Sequence, residues 1–272
     1  MEGKVKTALF LIFLLVVVTV IYITGLDITP QRQISEELIA PSSDNLTYVA
    51  SWNIQIFGDS KYEKVSVRNS IKEMIRDYDI VFIQEIRDAD GSSFDSLCGE
   101  LEIDFNCAIS SRAGRSTSKE QIGIVYKKDI KLVSLEDLNP DPFDRWERPP
   151  IKATFMRNDY IFHVWNIHTK PTDAVNEIQN LETVVNDDGN VIIMGDLNAD
   201  CDYYDPLEQQ EFISWKWLIG DDQDTTVGDT FCSYDRIIVN SNAYGEVSGY
   251  GIDNRVTEQV SDHYVVWVSL EA

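Results

Sequence analysis

Basic residues are scarce in this chain. Against 46 aspartates and glutamates stand 23 lysines and arginines, a formal net charge of −23 over 272 residues. Such a charge repels nucleic acid at long range and argues against a tight, stoichiometric DNA binder. It leaves room for an enzyme that touches a polyanion briefly, through a local basic patch and divalent cations. Repeats and low-complexity tracts are absent, which excludes a solenoid. Cysteines number four, and in an exported chain that suggests two disulfides. Cys201 and Cys232 sit beside polar motifs that a bridge would brace. Cys98 and Cys107 are near enough in sequence to close a small loop. Three connectivities remain formally open.

Long apolar runs are absent after the first 26 residues, so no loop is available to enter a bilayer. The exception, Ala8 to Ile23, follows Lys4 and Lys6, and the stretch Thr7–Leu26 that contains it is about 20 residues long, enough to span a membrane. No small-x-small cleavage site marks Thr24-Gly25-Leu26-Asp27, which favours an uncleaved anchor over a signal peptide at 1–26. Lysines before the run and acids after it place the following chain outside the cytoplasm. Residues 27–46, with Pro30 and Pro41, read as a tether. Asn45-Leu46-Thr47 is a glycosylation acceptor only in a host that uses it. Residues 47–272 are long enough for one domain with a sizeable core, and the 43% apolar content is ordinary for one.

The richest stretch is Val191-Ile192-Ile193-Met194 running into Gly195-Asp196-Leu197-Asn198. Four apolar residues read as a buried strand, and the glycine permits a sharp turn at its end. Asp196 and Asn198 then face one crevice, an acid and an amide suited to a metal, a water or a phosphate oxygen. Other apolar runs are bordered the same way. Thr47–Ser51 leads into Asn53, Asp79–Ile83 into Gln84-Glu85, and Ile161–Ile167 into His168. Asp235 precedes Ile237–Val239, and Ser261-Asp262-His263 opens Tyr264–Leu270. Such groups are the expected contents of one metal-assisted hydrolytic site.

Between these ends, Val67, Ile71, Met74, Ile75 and Tyr78 fall at helical spacing, so Lys64–Tyr78 is a predicted helix. Phe94–Leu101 reads as a short helix, and Phe105–Ser110, Gln121–Tyr126 and Ile130–Leu135 as strands. Asn139–Pro150 is a loop. Ile151–Phe155 pairs with Tyr160–His168, and Pro171 starts a helix with Ala174, Val175, Ile178, Leu181 and Val185 on one face. His163 and His168 lie on opposite faces of their strand, which makes His163 structural. Trp165, Trp217 and Tyr234 read as core aromatics. The mixture of hairpins and strand-helix-strand units implies an α/β (α+β) domain of two packed, largely antiparallel sheets flanked by helices.

In this order the motifs resemble the deoxyribonuclease I family, within the endonuclease/exonuclease/phosphatase fold, from about Thr47 to Leu270. The resemblance is carried by Trp52-Asn53-Ile54, Ile83-Gln84-Glu85-Ile86-Arg87, Lys119-Glu120-Gln121, Ile167-His168-Thr169 and Met194 to Cys201. It continues through Trp217-Leu218-Ile219, Asp224-Thr225-Thr226, Cys232-Ser233-Tyr234-Asp235-Arg236 and Ser261-Asp262-His263. It implies a four-layer sandwich and hydrolysis of DNA with Mg²⁺ or Mn²⁺ and Ca²⁺, by a monomer. Glu85, Asn53 and Asp262 are the implied metal ligands. His168 with Glu120, and His263 with Asp235, are the implied acid–base pairs, with Asp196 and Asn198 on the phosphate or the water. Arg87, Arg115 and Arg148 are expected to contact the DNA backbone, and Asp224, Thr226 and Thr230 to hold calcium.

The chain departs from that pattern at several positions. Ser118 stands where the family has a minor-groove tyrosine, and Gln55 where pancreatic-type enzymes have arginine. Both changes weaken the grip on duplex DNA. A small disulfide loop with its own calcium site is missing before Arg145–Pro150, and Gly228 replaces a threonine of the other. An exported DNA endonuclease is the leading reading. A same-fold phosphodiesterase acting on phospholipid, abasic DNA or RNA is the alternative. A non-catalytic module is disfavoured, because no catalytic group is missing.

Overall fold

The computed structural model describes residues 46–115, 118–205, 207–208 and 210–271. The leader at 1–26 and most of the tether at 27–46 lie outside them. Among the described residues no helix is long and apolar enough to cross a membrane.

Two six-stranded sheets pack face to face. The first contains β1 (Leu46–Phe57), β2 (Ile80–Ile86), β3 (Phe105–Ile109), β4 (Gln121–Lys127), β11 (Val247–Asp253) and β12 (Val265–Glu271), in the order β11-β12-β1-β2-β4-β3. The second contains β5 (Lys131–Asp137), β6 (Ile151–Arg157), β7 (Tyr160–Asn166), β8 (Asn190–Asp196), β9 (Lys216–Trp217) and β10 (Asp235–Val239), in the order β5-β6-β7-β8-β10-β9. Each sheet is antiparallel except at its centre, where β1 runs parallel to β2 and β7 parallel to β8. The helices are α1 (Asp59–Tyr62), α2 (Val65–Arg76), α3 (Ser92–Leu101), α4 (Ala174–Val184) and α5 (Ser241–Gly245). A parallel pair requires a crossover connection: α2 supplies it for β1 and β2, and α4 for β7 and β8.

The central strands are apolar on both faces because both are covered. Val49, Phe82, Phe155, Phe162, Ile192 and Val268 fill the space between the sheets. Val67, Ile71 and Ile75 of α2 cover the outer side of the first sheet, and Ile178 and Leu181 of α4 cover the second. The predicted helices and strands are present with small shifts at their ends. Pro171 begins a 3₁₀ turn, Pro171–Asp173, rather than α4 itself. Beyond the reading from sequence are α1, α5, β9 and β11. The last has three exposed or half-exposed glycine and tyrosine positions and no apolar alternation; it is a strand because it pairs with β12.

The two parallel pairs deliver their C-terminal ends to the same side, and a buried polar bridge fastens them there. Gln84 Nε2 donates to Ser51 Oγ at 3.1 Å and to Asn166 Oδ1 at 3.0 Å, while Asn166 Nδ2 donates to Ser51 Oγ at 3.0 Å. One step along β8, Gly195 has φ +148°, and a Cβ built on it would lie 2.0 Å from the Ile167 carbonyl oxygen. Only glycine lets β8 pass the end of β7 this closely.

Candidate active site

Asn53, Glu85, His168 and Asp196 emerge from the C-terminal ends of β1, β2, β7 and β8. His168 Nδ1 bonds Glu120 Oε1 at 2.6 Å, and His263 Nδ1 bonds Asp235 Oδ2 at 2.7 Å. A carboxylate on Nδ1 fixes the tautomer and turns the other nitrogen toward the crevice. The free Nε2 atoms of His168 and His263 lie 3.4 and 3.6 Å from the same atom, Asp196 Oδ2. Asn53 Nδ2 donates to that oxygen at 3.0 Å, and the Asn198 N–H donates to Asp196 Oδ1 at 3.1 Å. Asn198 reaches this place with φ +47°, its side-chain amide donating to the Thr169 carbonyl at 3.1 Å.

Burial would raise the pKa of Glu120, but the charge and hydrogen bond of His168, with Arg148 and Arg87 behind, hold it below the usual carboxylate range. Asp196 is likewise pushed up by burial and drawn lower by His263 and His168. In the second pair, burial pushes Asp235 up against the pull of His263. Burial would lower His263, yet Asp235 and Asp196 outweigh it and raise its pKa.

Glu85, Glu120 and His168 each offer one ligating atom within 4.8 Å of the others, as do Asp196, Asp235 and His263. Glu85 Oε2 accepts from the Ile56 N–H at 2.7 Å and Oε1 meets Asn53 Nδ2 only at 3.4 Å, so Glu85 retains lone pairs facing the crevice. Carboxylate and amide oxygens are the ligands a hard divalent cation takes; Glu85 meets that description, whereas Asn53 turns Nδ2 toward Glu85 and Asp196 and its Oδ1 accepts the Gln55 N–H at 3.0 Å. Asp262 is 52% exposed, 3.9 Å from His263 Nε2, and held by Gln55 Nε2 at 2.8 Å.

The three arginines expected to meet DNA are engaged by the protein. Arg87 lies 3.1 Å from Glu85 Oε2 and 3.6 Å from Glu120 Oε2. Arg148 lies 3.5 Å from Glu120 Oε2 and donates to the carbonyls of His168 and Thr169 at 2.9 and 2.5 Å, so it braces the segment that carries His168. Arg115, the most exposed at 41%, sits on Asp144 at 2.8 Å and 4.0 Å from Glu147. In the loop expected to hold calcium, Asp224 Oδ1 accepts from the Thr226 N–H at 3.0 Å, and the one Thr226 hydroxyl proton has Asp224 Oδ1 and the Thr230 carbonyl within reach of Oγ1, at 2.7 and 2.6 Å. The three residues are together, in a loop closed by their own hydrogen bonds. The disulfides are Cys98–Cys107 and Cys201–Cys232, which resolves the connectivity left open by sequence.

His163 is remote from this site and bonds Thr154 Oγ1 at 2.9 Å, a structural histidine as expected. Trp165 is buried in the core. Tyr234 corrects its reading as a core aromatic. It is half-exposed, its ring 6.3 Å from that of His263 and 5.6 Å from that of Tyr203. It precedes the strand rather than lying in it, so strand alternation does not govern it. Sequence reasoning also missed Thr225, whose Oγ1 receives the Asp235 N–H at 3.1 Å, and Glu177, fully buried and accepting the N–H groups of Glu147 and Lys170 at 2.6 and 2.9 Å. A buried glutamate on the apolar face of a predicted helix was the available signal for the latter.

Residues 50–263 match the Endonuclease/Exonuclease/phosphatase family. Deoxyribonuclease-1 of Gallus gallus is 32% identical over 260 residues, covering 82% of this chain and 92% of that protein; the Homo sapiens protein is 31% identical with the same coverage. Among solved structures, a humanized TDP2 of D. rerio superposes with a TM-score of 0.63 at 13% identity, covering 84% of this chain and 99% of the other. An endonuclease/exonuclease/phosphatase of Bacteroides vulgatus gives 0.60 at 19% identity, covering 84% and 99%. At those identities the structures speak for the fold alone.

Proposed function

The chain belongs to the endonuclease/exonuclease/phosphatase family and is a deoxyribonuclease I-like phosphodiester hydrolase, and from that premise we propose that it is an exported, metal-dependent endonuclease that nicks DNA with two histidine–carboxylate pairs as proton carriers. The observation that carries the reading is the convergence of His168 Nε2 and His263 Nε2 on Asp196 Oδ2, at 3.4 and 3.6 Å. Hydrolysis of a phosphodiester needs a proton taken from water and another given to the leaving oxygen. Two imidazoles with anchored Nδ1 atoms, facing one point from two sides, suit those tasks.

In this reading Glu120 and Asp235 hold the imidazole tautomers. Asp196 and Asn198 orient the water or a phosphate oxygen between the rings. Glu85, Asn53 and Asp262 would hold Mg²⁺ or Mn²⁺, which neutralises the scissile phosphate and stabilises the charge that develops on it. Arg87, Arg115 and Arg148 would meet the DNA backbone, while Asp224, Thr226 and Thr230 would take Ca²⁺ as a brace. Two disulfides support folding in an oxidising compartment, in keeping with residues 1–26 as a signal or anchor and 27–46 as a tether.

Plasmid nicking by the purified protein tests the reading, with Mg²⁺ plus Ca²⁺ against EDTA and alongside His168→Ala and His263→Ala. Relaxation of supercoiled DNA should require metal and be lost in both variants. A folded wild type that leaves single- and double-stranded DNA intact sinks the proposal.

A further inference from the structure

Lys61 lies in α1, directly after the end of β1. Its Nζ donates to the carbonyls of Ile54 and Val260, each at 2.7 Å, and to the carbonyl of Gln55. An ammonium has three protons, and these acceptors use all of them. None is left for a substrate phosphate, so the side chain acts on backbone. Val260 is 199 positions from Lys61 and immediately precedes Ser261-Asp262-His263. Lys61 thus fastens the exit of β1 to the segment that carries Asp262 and His263.

The carbonyls on the β1 side belong to an unfavourable turn. Gln55 has φ +47° and Ile56 φ +51°, two consecutive left-handed residues, neither of them glycine. Such residues are strained and persist only where their surroundings hold them; a β-branched isoleucine is among the worst suited. The turn offsets that strain by aiming two acids. The Ile56 N–H donates to Glu85 Oε2 at 2.7 Å, and Gln55 Nε2 donates to Asp262 Oδ2 at 2.8 Å. Extended backbone at 55 and 56 would present neither donor in this way.

We propose that Lys61 is a positioning residue for the cation site: by holding the carbonyls of Ile54, Gln55 and Val260, it keeps the Gln55–Ile56 turn in the conformation that aims Glu85 and Asp262. The inference rests on the reading of Glu85 and Asp262 as metal-holding residues. The charges agree with it. Burial lowers the pKa of Lys61 to about 8, and the negative charges of Asp262 and Glu85 act in the opposite direction.

The test compares full-length wild type with Lys61→Met, which keeps an apolar stem without donors, and Lys61→Arg, which keeps charge and donors. Hydrogen exchange over 53–58, calorimetric Mn²⁺ binding and Tm are the readouts. Lys61→Met should speed exchange selectively at 53–58 and weaken Mn²⁺ binding about ten- to a hundredfold, with Lys61→Arg recovering part of both. Unchanged protection at 53–58, or exchange accelerated uniformly along the chain together with a lower Tm, overturns the inference. Wild-type Mn²⁺ affinity in Lys61→Met overturns it too, while wild-type nicking remains metal-dependent. A wild type that neither binds Mn²⁺ nor nicks DNA overturns instead the metal-dependent reading on which the inference rests.

Discussion

His168 and His263 point their Nε2 atoms at one carboxylate oxygen, Asp196 Oδ2, from 3.4 and 3.6 Å. The two rings come from different sheets. Each is held by its own buried acid, and the environments of those acids differ. Glu120 sits near two guanidiniums and is easily ionised. Asp235 has a buried oxygen, Oδ1, with no hydrogen-bond partner, and burial raises its pKa against the pull of His263. A site that must both accept and donate a proton is served by two imidazoles with unequal partners.

Neutralising either acid should cripple turnover without unfolding the protein. Glu120→Gln and Asp235→Asn are each expected to lower kcat/KM for DNA nicking by about 10²- to 10⁴-fold. Steady-state nicking rates with circular dichroism as a fold control decide it. Rates equal to wild type would remove the pair concerned from the chemistry.

The raised pKa of His263 has a consequence for stability. Burial alone would lower it, but Asp235 and Asp196 hold it above the ordinary value of 6.5. A raised folded-state pKa contributes stability that is complete below the unfolded value and is lost as pH climbs through the folded one. Relative to His263→Gln, the wild type should therefore lose its advantage as pH rises above about 6.5. Urea unfolding in EDTA across that range measures the gap, and a constant gap contradicts the expectation.

Gly195→Ala should be among the most damaging single changes in the domain. The added Cβ would lie 2.0 Å from the Ile167 carbonyl oxygen and 2.8 Å from Gln84 Nε2, at a φ of +148°. Strain and overpacking together should cost at least about 2 kcal/mol. Thermal unfolding reads the loss, and an unchanged Tm would mean that β7 and β8 separate freely.

The two disulfides should contribute unequally. Cys201–Cys232 spans a separation of 31 residues and Cys98–Cys107 one of 9. Chain entropy then assigns roughly 3–4 kcal/mol to the first and about 2–3 kcal/mol to the second. Replacing both cysteines of the first pair by alanine should also depress nicking, because the Ser233 N–H donates to Asp200 Oδ2 at 2.7 Å just beside it. Denaturant midpoints and nicking rates of the two double variants test the order. Greater loss from the Cys98–Cys107 pair would reverse it.

The sequence by itself determined where strands end and what chemistry stands there. Apolar runs such as Val191–Met194 and Asp79–Ile83 form strands wherever they are buried. A glycine, an acid or a histidine at the end of a strand is legible because alternation and turn chemistry are local. Motif order then implied the partners His168–Glu120 and His263–Asp235. Only the tertiary structure decided which cysteines bridge, that Arg148 braces Glu120 and the segment that carries His168, and that Tyr234 borders the crevice. It alone revealed the left-handed turn at Gln55–Ile56 and the lysine that holds it. Lys61 was illegible for a definite physical reason. Its acceptors are backbone carbonyls, which every residue carries alike, so the sequence at Ile54, Gln55 and Val260 holds no sign of what would come to bind them.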